Sequence, residues 1–267
     1  MTDPIKQDSP MIIQRQGAVE TIVINDAPRN RMSIALMDGL GAEVERLASD
    51  QSIRAVVIRG AGEENFSVGM DLKQLGQGVA REGSMEAFFD QRLRVLKAIE
   101  NLNKPVIAVL YGYCLGGGLE LPLACHFRLA AKEGARIGLP ELDLGTVPAW
   151  GGSARLTRCV GRHHALDMIL RSRLISGPEA LAIGLVHEVW ELSELFQRAD
   201  ALARELAERP ALAVASMLRC IIGAADKTLD ESIRDERRDV LETMNTPDQL
   251  EGMRAFMEKR KPVFNRG

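Results

Sequence analysis

The sequence predicts an α/β fold with a parallel-type sheet covered by helices, followed by an all-helical carboxyl-terminal region. Three observations predict it. The order strand, strand, helix recurs through the first half of the chain, which is the pattern of α/β layers. Strand signals stop near Ser193. Three amphipathic segments then run almost to the end.

Met11 to Asn25 carries alternating apolar residues on either side of Gln16-Gly17, the pattern of two strands joined by a tight turn. From Met32 to Ser49, Met, Leu and Val recur at helical spacing with charges between them. Ala55 to Arg59 reads as a third strand. The stretch Leu75 to Ser84 is polar and rich in glycine, which predicts a mobile loop. Leu93 to Leu102 fits a helix stopped by Asn103-Lys104-Pro105, and Val106 to Leu110 is the fourth strand. Leu195–Arg209, Ala211–Ala225 and Ile233–Met244 are the helices of the tail. The expected division is a core over 1–192 that holds the active site, and a helical region over 193–267.

Composition narrows the class. The chain has 267 residues, 46% of them apolar and 27% charged, the balance of an ordinary water-soluble globular protein. Its formal charge of −3 argues against a dedicated nucleic-acid binder, which is normally basic. No apolar run approaches the roughly 20 residues needed to span a bilayer. The start, Met1 to Asp8, lacks the basic-then-apolar layout of a secretory signal. Cys114, Cys125, Cys159 and Cys220 are irregularly spaced and read as buried small hydrophobes in a reducing cytosol. His163 and His164 are neighbours, and adjacent residues on a helix point about 100° apart, so no shared metal is expected.

Three blocks carry chemistry. In Pro105 to Leu121 an apolar strand ends in Gly116-Gly117-Gly118, and Glu120 follows at the start of an apparent helix. The first N–H groups of a helix lack intrahelical partners and can bind an oxyanion. Read alone, the run fits equally a strand-to-helix turn with a solvated glutamate. Upstream lies Asn65-Phe-Ser-Val-Gly-Met-Asp-Leu-Lys, and downstream lies Gly138 to Leu156 with Glu141 after Pro140 and Trp150 before Gly151-Gly152. Glu120 near a helix start is expected to favour its charged form. Glu141, in an apolar loop, is expected to stay protonated.

These three blocks, in this order, resemble the crotonase superfamily, and most closely its enoyl-CoA hydratases. The resemblance runs from the hairpin near Met11 to the tail Glu251 to Phe264. It implies a crotonase-like spiral of ββα units followed by a helical region that assembles the protein as a homotrimer or a dimer of trimers. It implies oxyanion donors at the N–H of Met70 and Gly117, Glu120 to activate water, and Glu141 to protonate the α-carbon of a 2-enoyl-CoA. CoA would be gripped around Val68, Asp71 and Leu72 and by Arg29, Arg31 and Lys259, with Arg260 and Lys261 as further candidates. No separate cofactor is implied, because CoA is part of the substrate. Departures from the family pattern stand at Met32, Val68, Met70, His126 and Ala149-Trp150. Met70 and Trp150 would reshape the acyl pocket, so a short or unusual acyl group is expected.

Other classes fit less well. A Gly-x-Ser-x-Gly nucleophile is missing, since Asn65-Phe-Ser67-Val-Gly69 lacks the first glycine. Gly116-Gly117-Gly118 does not match a dinucleotide fingerprint. Arg155, Arg158, Arg162, His163, His164, Arg171 and Arg173 form a basic stretch of the kind an RNA-binding relative would use, but no aromatic residues interleave it for base stacking. Within the superfamily, an isomerase or an acyl-CoA hydrolase is the rival.

Overall fold

The computed structural model describes residues 9–265, so the segment Met1 to Asp8 that bears on targeting lies outside them. The chain opens with the hairpin β1 (Met11–Gln16) and β2 (Val19–Ile24), turning at Gly17 with φ +60°. β2 then pairs in parallel with β3 (Ala55–Gly60), placing Ile22 opposite Ile58. β4 (Val106–Leu110) follows in parallel, and β5 (Tyr113–Leu115) starts a second, smaller sheet. The main sheet is completed by β6 (Phe127–Ala131) and β8 (Glu188–Trp190), in the order β1-β2-β3-β4-β6-β8, while β7 (Arg136–Gly138) pairs with β5. β4 is buried along its whole length, as a parallel strand covered on both faces should be.

Helices fill the crossovers. α1 (Ile34–Ser49) joins β2 to β3 and is capped by Ser33, whose hydroxyl accepts from Leu36 N–H. α2 (Leu75–Glu82) and α3 (Met85–Glu100) join β3 to β4. The stretch expected to be a mobile loop is therefore mostly helix. Its glycines serve contact and termination: Gly78 lets the Phe88 ring of α3 lie against α2, and Gly83 ends α2 at φ +87°. α4 (Gly117–Ala124) follows β5, and α5 (Gly152–Leu170) and α6 (Gly177–Ala182) precede β8. The repeated order of two strands and a helix is thus present as read.

α7 (Leu192–Ala207) lies against β3, β4 and β6, burying Leu195, Ala199 and Ala203. α8 (Ala211–Gly223), α9 (Leu229–Thr243) and α10 (Pro247–Met257) extend beyond it. These last helices leave Leu229, Leu241, Phe256 and Met257 more than two-thirds exposed. None of the described helices is long and apolar enough to cross a membrane.

Candidate active site

The segment 66–71 runs as an irregular strand between two others. On one side Ser67 N–H donates to Tyr113 O (3.0 Å) and Ser67 O accepts from Leu115 N–H (3.1 Å). On the other, Met32 N–H donates to Gly69 O (2.8 Å) and Asp71 N–H donates to Met32 O (3.2 Å). Successive backbone groups of an extended chain point to opposite sides. Met70 N–H is therefore turned away from Met32, toward the start of α4. Gly69 sits at φ +89°, and a Cβ built on it would meet Leu115 O at 2.6 Å and Gly117 N at 3.3 Å. Glycine here lets the backbone before Met70 pass close to the Gly117 amide. Neither N–H donates to any acceptor among the described residues.

Gly116 adopts φ +55° and ψ −123° to turn β5 into α4. Only glycine tolerates that turn readily, and its bare Cα also admits the Glu141 carboxyl, whose Oε1 would lie 3.1 Å from a Cβ at this position. Gly117 is covered by the Trp150 ring, which leaves no room for a side chain. Two loops distant in sequence thus converge on one turn.

Glu120 stands in the first turn of α4 and is only 2% exposed. Its Oε1 accepts from Trp150 N–H (2.7 Å) and from Gly152 N–H (2.9 Å). Gly152 begins α5, so the anchoring helix start belongs to a different helix from the one that carries Glu120. The other oxygen, Oε2, takes no hydrogen bond from the described residues. Burial pushes the Glu120 carboxyl up to about 7, against the two N–H donors that favour its charged form; Glu141 raises it further and Arg155 lowers it. Glu141 opens a short 3-10 turn, Glu141–Leu144, and burial raises its carboxyl as well. Its Oε2 is sealed from solvent and has no partner among the described residues. The expected asymmetry, a readily charged Glu120 beside a protonated Glu141, gives way to two carboxyls that are both held above the ordinary range. Desolvation outweighs the helix start.

The other expected residues are spread out. Val68 is half-buried, and its N–H donates to Arg29 O (3.0 Å). The Arg29 side chain is exposed. Arg31 lies close to the loop but is engaged by Asp26 at 2.7 and 2.9 Å, with Asp71 at 3.9 Å. Asp71 caps the next turn by accepting from Lys73 N–H (3.2 Å), and Leu72 is 57% exposed beside it. Trp150 is buried against Gly117 rather than lining an open face. Lys259 is exposed after α10, while Arg260 pairs with Glu251 and Lys261 with Glu208. Met32 bridges Met70, and half-buried His126 accepts from Val106 N–H (2.9 Å).

Two residues with a part in the site carried no signal of their own. Ser67 Oγ accepts from Gly69 N–H (3.1 Å) and shapes the turn before Met70. Arg155 was read only as one of a basic stretch, yet it donates to Trp150 O (2.9 Å) and pairs with Glu100 on α3. Its position three residues after Gly152 is the one available hint, because a guanidinium on the first turn of a helix can reach back over a glycine.

Comparison with known proteins bears on the family and the fold. Residues 14–267 match the family model described as enoyl-CoA hydratase/isomerase. A probable enoyl-CoA hydratase of Bacillus subtilis is 36% identical over 247 residues, covering 92% of this chain and 95% of that protein. A carnitinyl-CoA dehydratase of Salmonella typhi is 34% identical over 256 residues, covering 94% and 97%. Among solved structures, an enoyl-CoA hydratase from Geobacillus kaustophilus superposes with a TM-score of 0.91 at 30% identity, covering 97% of each chain.

Proposed function

The chain belongs to the enoyl-CoA hydratase/isomerase family, and from that premise we propose that it adds water reversibly across the double bond of a 2-enoyl-CoA thioester, giving a 3-hydroxyacyl-CoA. One observation carries the reading. Buried Glu120 from α4 and half-buried Glu141 from a separate turn meet beside Gly117, whose N–H, with that of Met70, has no acceptor among the described residues.

The thioester oxygen binds between the two amides. As water attacks, the oxygen gains enolate charge, and fixed N–H donors stabilise it without reorganising; one such donor is typically worth about 10²–10³ in rate. Glu120 takes a proton from the water as its oxygen bonds to the β-carbon. The electron pair of the double bond moves onto the thioester as an enolate. The enolate then collapses and takes a proton at the α-carbon from Glu141. A proton moved from Glu120 to Glu141 through solvent resets the pair, and dehydration runs the same steps backwards. Elevated affinities for protons suit both tasks, since each group must give and accept one near neutral pH.

The presence of both carboxyls favours hydration over the isomerase and hydrolase alternatives. The RNA-binding alternative loses support because Arg155, Arg158, Arg171 and Arg173 are paired with Glu100, Asp226, Asp167 and Glu179. Trp150 covering Gly117 supports a short or compact acyl group. A panel of 2-enoyl-CoA thioesters, followed by loss of enoyl absorbance, tests the reading. Turnover should be highest on the shorter acyl chains, and no loss of absorbance on any member would contradict it.

We also propose a homotrimer or dimer of trimers acting in the cytoplasm. The exposed apolar residues of α8 to α10 support the assembly, since contiguous apolar surface marks an interface. Sedimentation at micromolar concentration should show a species of at least three chains; a 29.3 kDa monomer would contradict it.

A further inference from the structure

Glu120 owes its place to a loop that is itself tied down from behind. The peptides of Trp150 and Gly152 aim their N–H groups at Glu120 Oε1, at 2.7 and 2.9 Å. The carbonyl of the same Trp150 is held by Arg155 Nη1 at 2.9 Å. Arg155 in turn meets Glu100 of α3 through two parallel bonds, Nε to Oε1 at 3.1 Å and Nη2 to Oε2 at 2.9 Å. A planar guanidinium can serve a carboxylate and a carbonyl in fixed directions at once, which an ammonium cannot. Gly151, at φ +89°, makes the crossing possible, since a Cβ there would lie 2.6 Å from Arg155 Nη1.

We infer that Arg155 is a positioning residue for the proposed hydration, fixing the turn at 150–152 so that two N–H groups hold Glu120 in one orientation and its positive charge favours the ionised form. The inference rests on the functional reading above, with Glu120 as the base. The charged and titratable groups around Glu120 are Glu141 from the 3-10 turn, Arg155 from α5 and Glu100 from α3. Of the other elements packed against α4, β5 carries Tyr113 and Cys114, and Arg128 of β6 reaches the far end of α4. Arg128 bonds to Pro122 O and Cys125 O and so caps the end of α4 away from the N–H donors.

Two readouts test the role, and one needs no substrate. Trp150 and Trp190 are the only tryptophans, so in a Trp190→Phe background Trp150 fluorescence reports the group bonded to its own peptide. Its pH titration should have a midpoint near 7 and should vanish in Glu120→Gln. Arg155→Met should move the midpoint upward by about half a unit or more, since a nearby positive charge is removed, and Arg155→Lys should move it less. In hydration assays, both variants should lose about tenfold or more in kcat with KM within about twofold, because binding groups stay while the base is misplaced. The acidic limb of the rate profile should rise in pH with the fluorescence midpoint. A merely structural role would lower melting temperature and leave both midpoints unmoved, which would overturn the inference. If Arg155→Met fails to fold, a folded Arg155→Lys with unchanged kcat overturns it equally. If the wild type hydrates no enoyl thioester, the functional reading fails, while the fluorescence titration still decides whether Arg155 governs Glu120.

Discussion

Two buried glutamates, Glu20 on β2 and Glu120 on α4, have their carboxyls pushed up to about 7, and in both burial is the foremost cause. Their surroundings differ. Glu20 Oε2 accepts from Arg15 Nε (2.8 Å) and Arg46 Nη2 (2.6 Å), and Arg46 also engages Glu43 and Asp50. Charges enclose it, and Glu43 raises it further. Glu120 is held on one oxygen by two neutral backbone N–H groups, and its neighbours are the orphaned Glu141 Oε2 and the unbonded amides of Met70 and Gly117. A raised pKa therefore does not single out a reactive group. An unpartnered oxygen does not separate the two either, since Glu20 Oε1 is also buried without a partner among the described residues. What does is the company: Arg15 and Arg46 close on Glu20, whereas a second carboxyl, Glu141, acts on Glu120 near the free Gly117 amide.

The largest effect should come from removing either carboxyl of the Glu120–Glu141 pair. Glu120→Gln and Glu141→Gln should each lower kcat by about 10²–10⁴-fold, the usual share of a general acid or base, with acyl-CoA binding nearly unchanged by calorimetry. Near-wild-type turnover in either variant would take that residue out of the mechanism and erase the contrast with Glu20.

The two glutamates should then part company in pH behaviour. Hydration needs Glu120 ionised, so kcat/KM should fall below about pH 7, by roughly tenfold per unit at the limit. Glu20 should show in stability and not in rate. Its folded pKa is raised above the ordinary 4.5, so the folded state holds the proton more tightly. The stability it contributes is full below pH 4.5 and is lost as pH rises to about 7. Glu43, whose pKa is lowered, acts the other way, with its stability lost as pH falls below that range. Glu20→Gln should accordingly gain in melting temperature relative to wild type between pH 5 and pH 8, with turnover within about twofold. An activity loss in Glu20→Gln comparable to that of Glu120→Gln would collapse the comparison.

Much of this site was legible in the sequence because its parts are short-range. Gly116 to Glu120 places the turn, an amide and the carboxyl within five residues, and Gly69-Met70 offers a second amide. The glycine run alone fits a plain strand-to-helix turn equally well, and the ordered set of three blocks, through its resemblance to the family, is what points to these positions. The helical tail was legible from periodicity. What escaped depends on contacts between distant residues. Trp150 and Gly152 reach Glu120 across 30 and 32 positions, and Arg155 reaches Glu100 across 55. No local pattern announces such a link. The glycines of 75–84 were misread for a related reason: Gly78 is small because Phe88, on another helix, needs the space. Arg31 carried the right charge in the right loop, but Asp26 already engages it. Composition tells which groups are available, and only the fold tells which remain free.

The central claim is that the Met70 and Gly117 amides receive the thioester oxygen between the two glutamates. A crystal structure of Glu120→Gln with a short 2-enoyl-CoA bound tests it most directly. The thioester oxygen should accept from both N–H groups at about 2.7–3.1 Å, with the α-carbon facing Glu141 and the β-carbon facing position 120. A thioester oxygen bound elsewhere, or either amide left without it, would contradict the account.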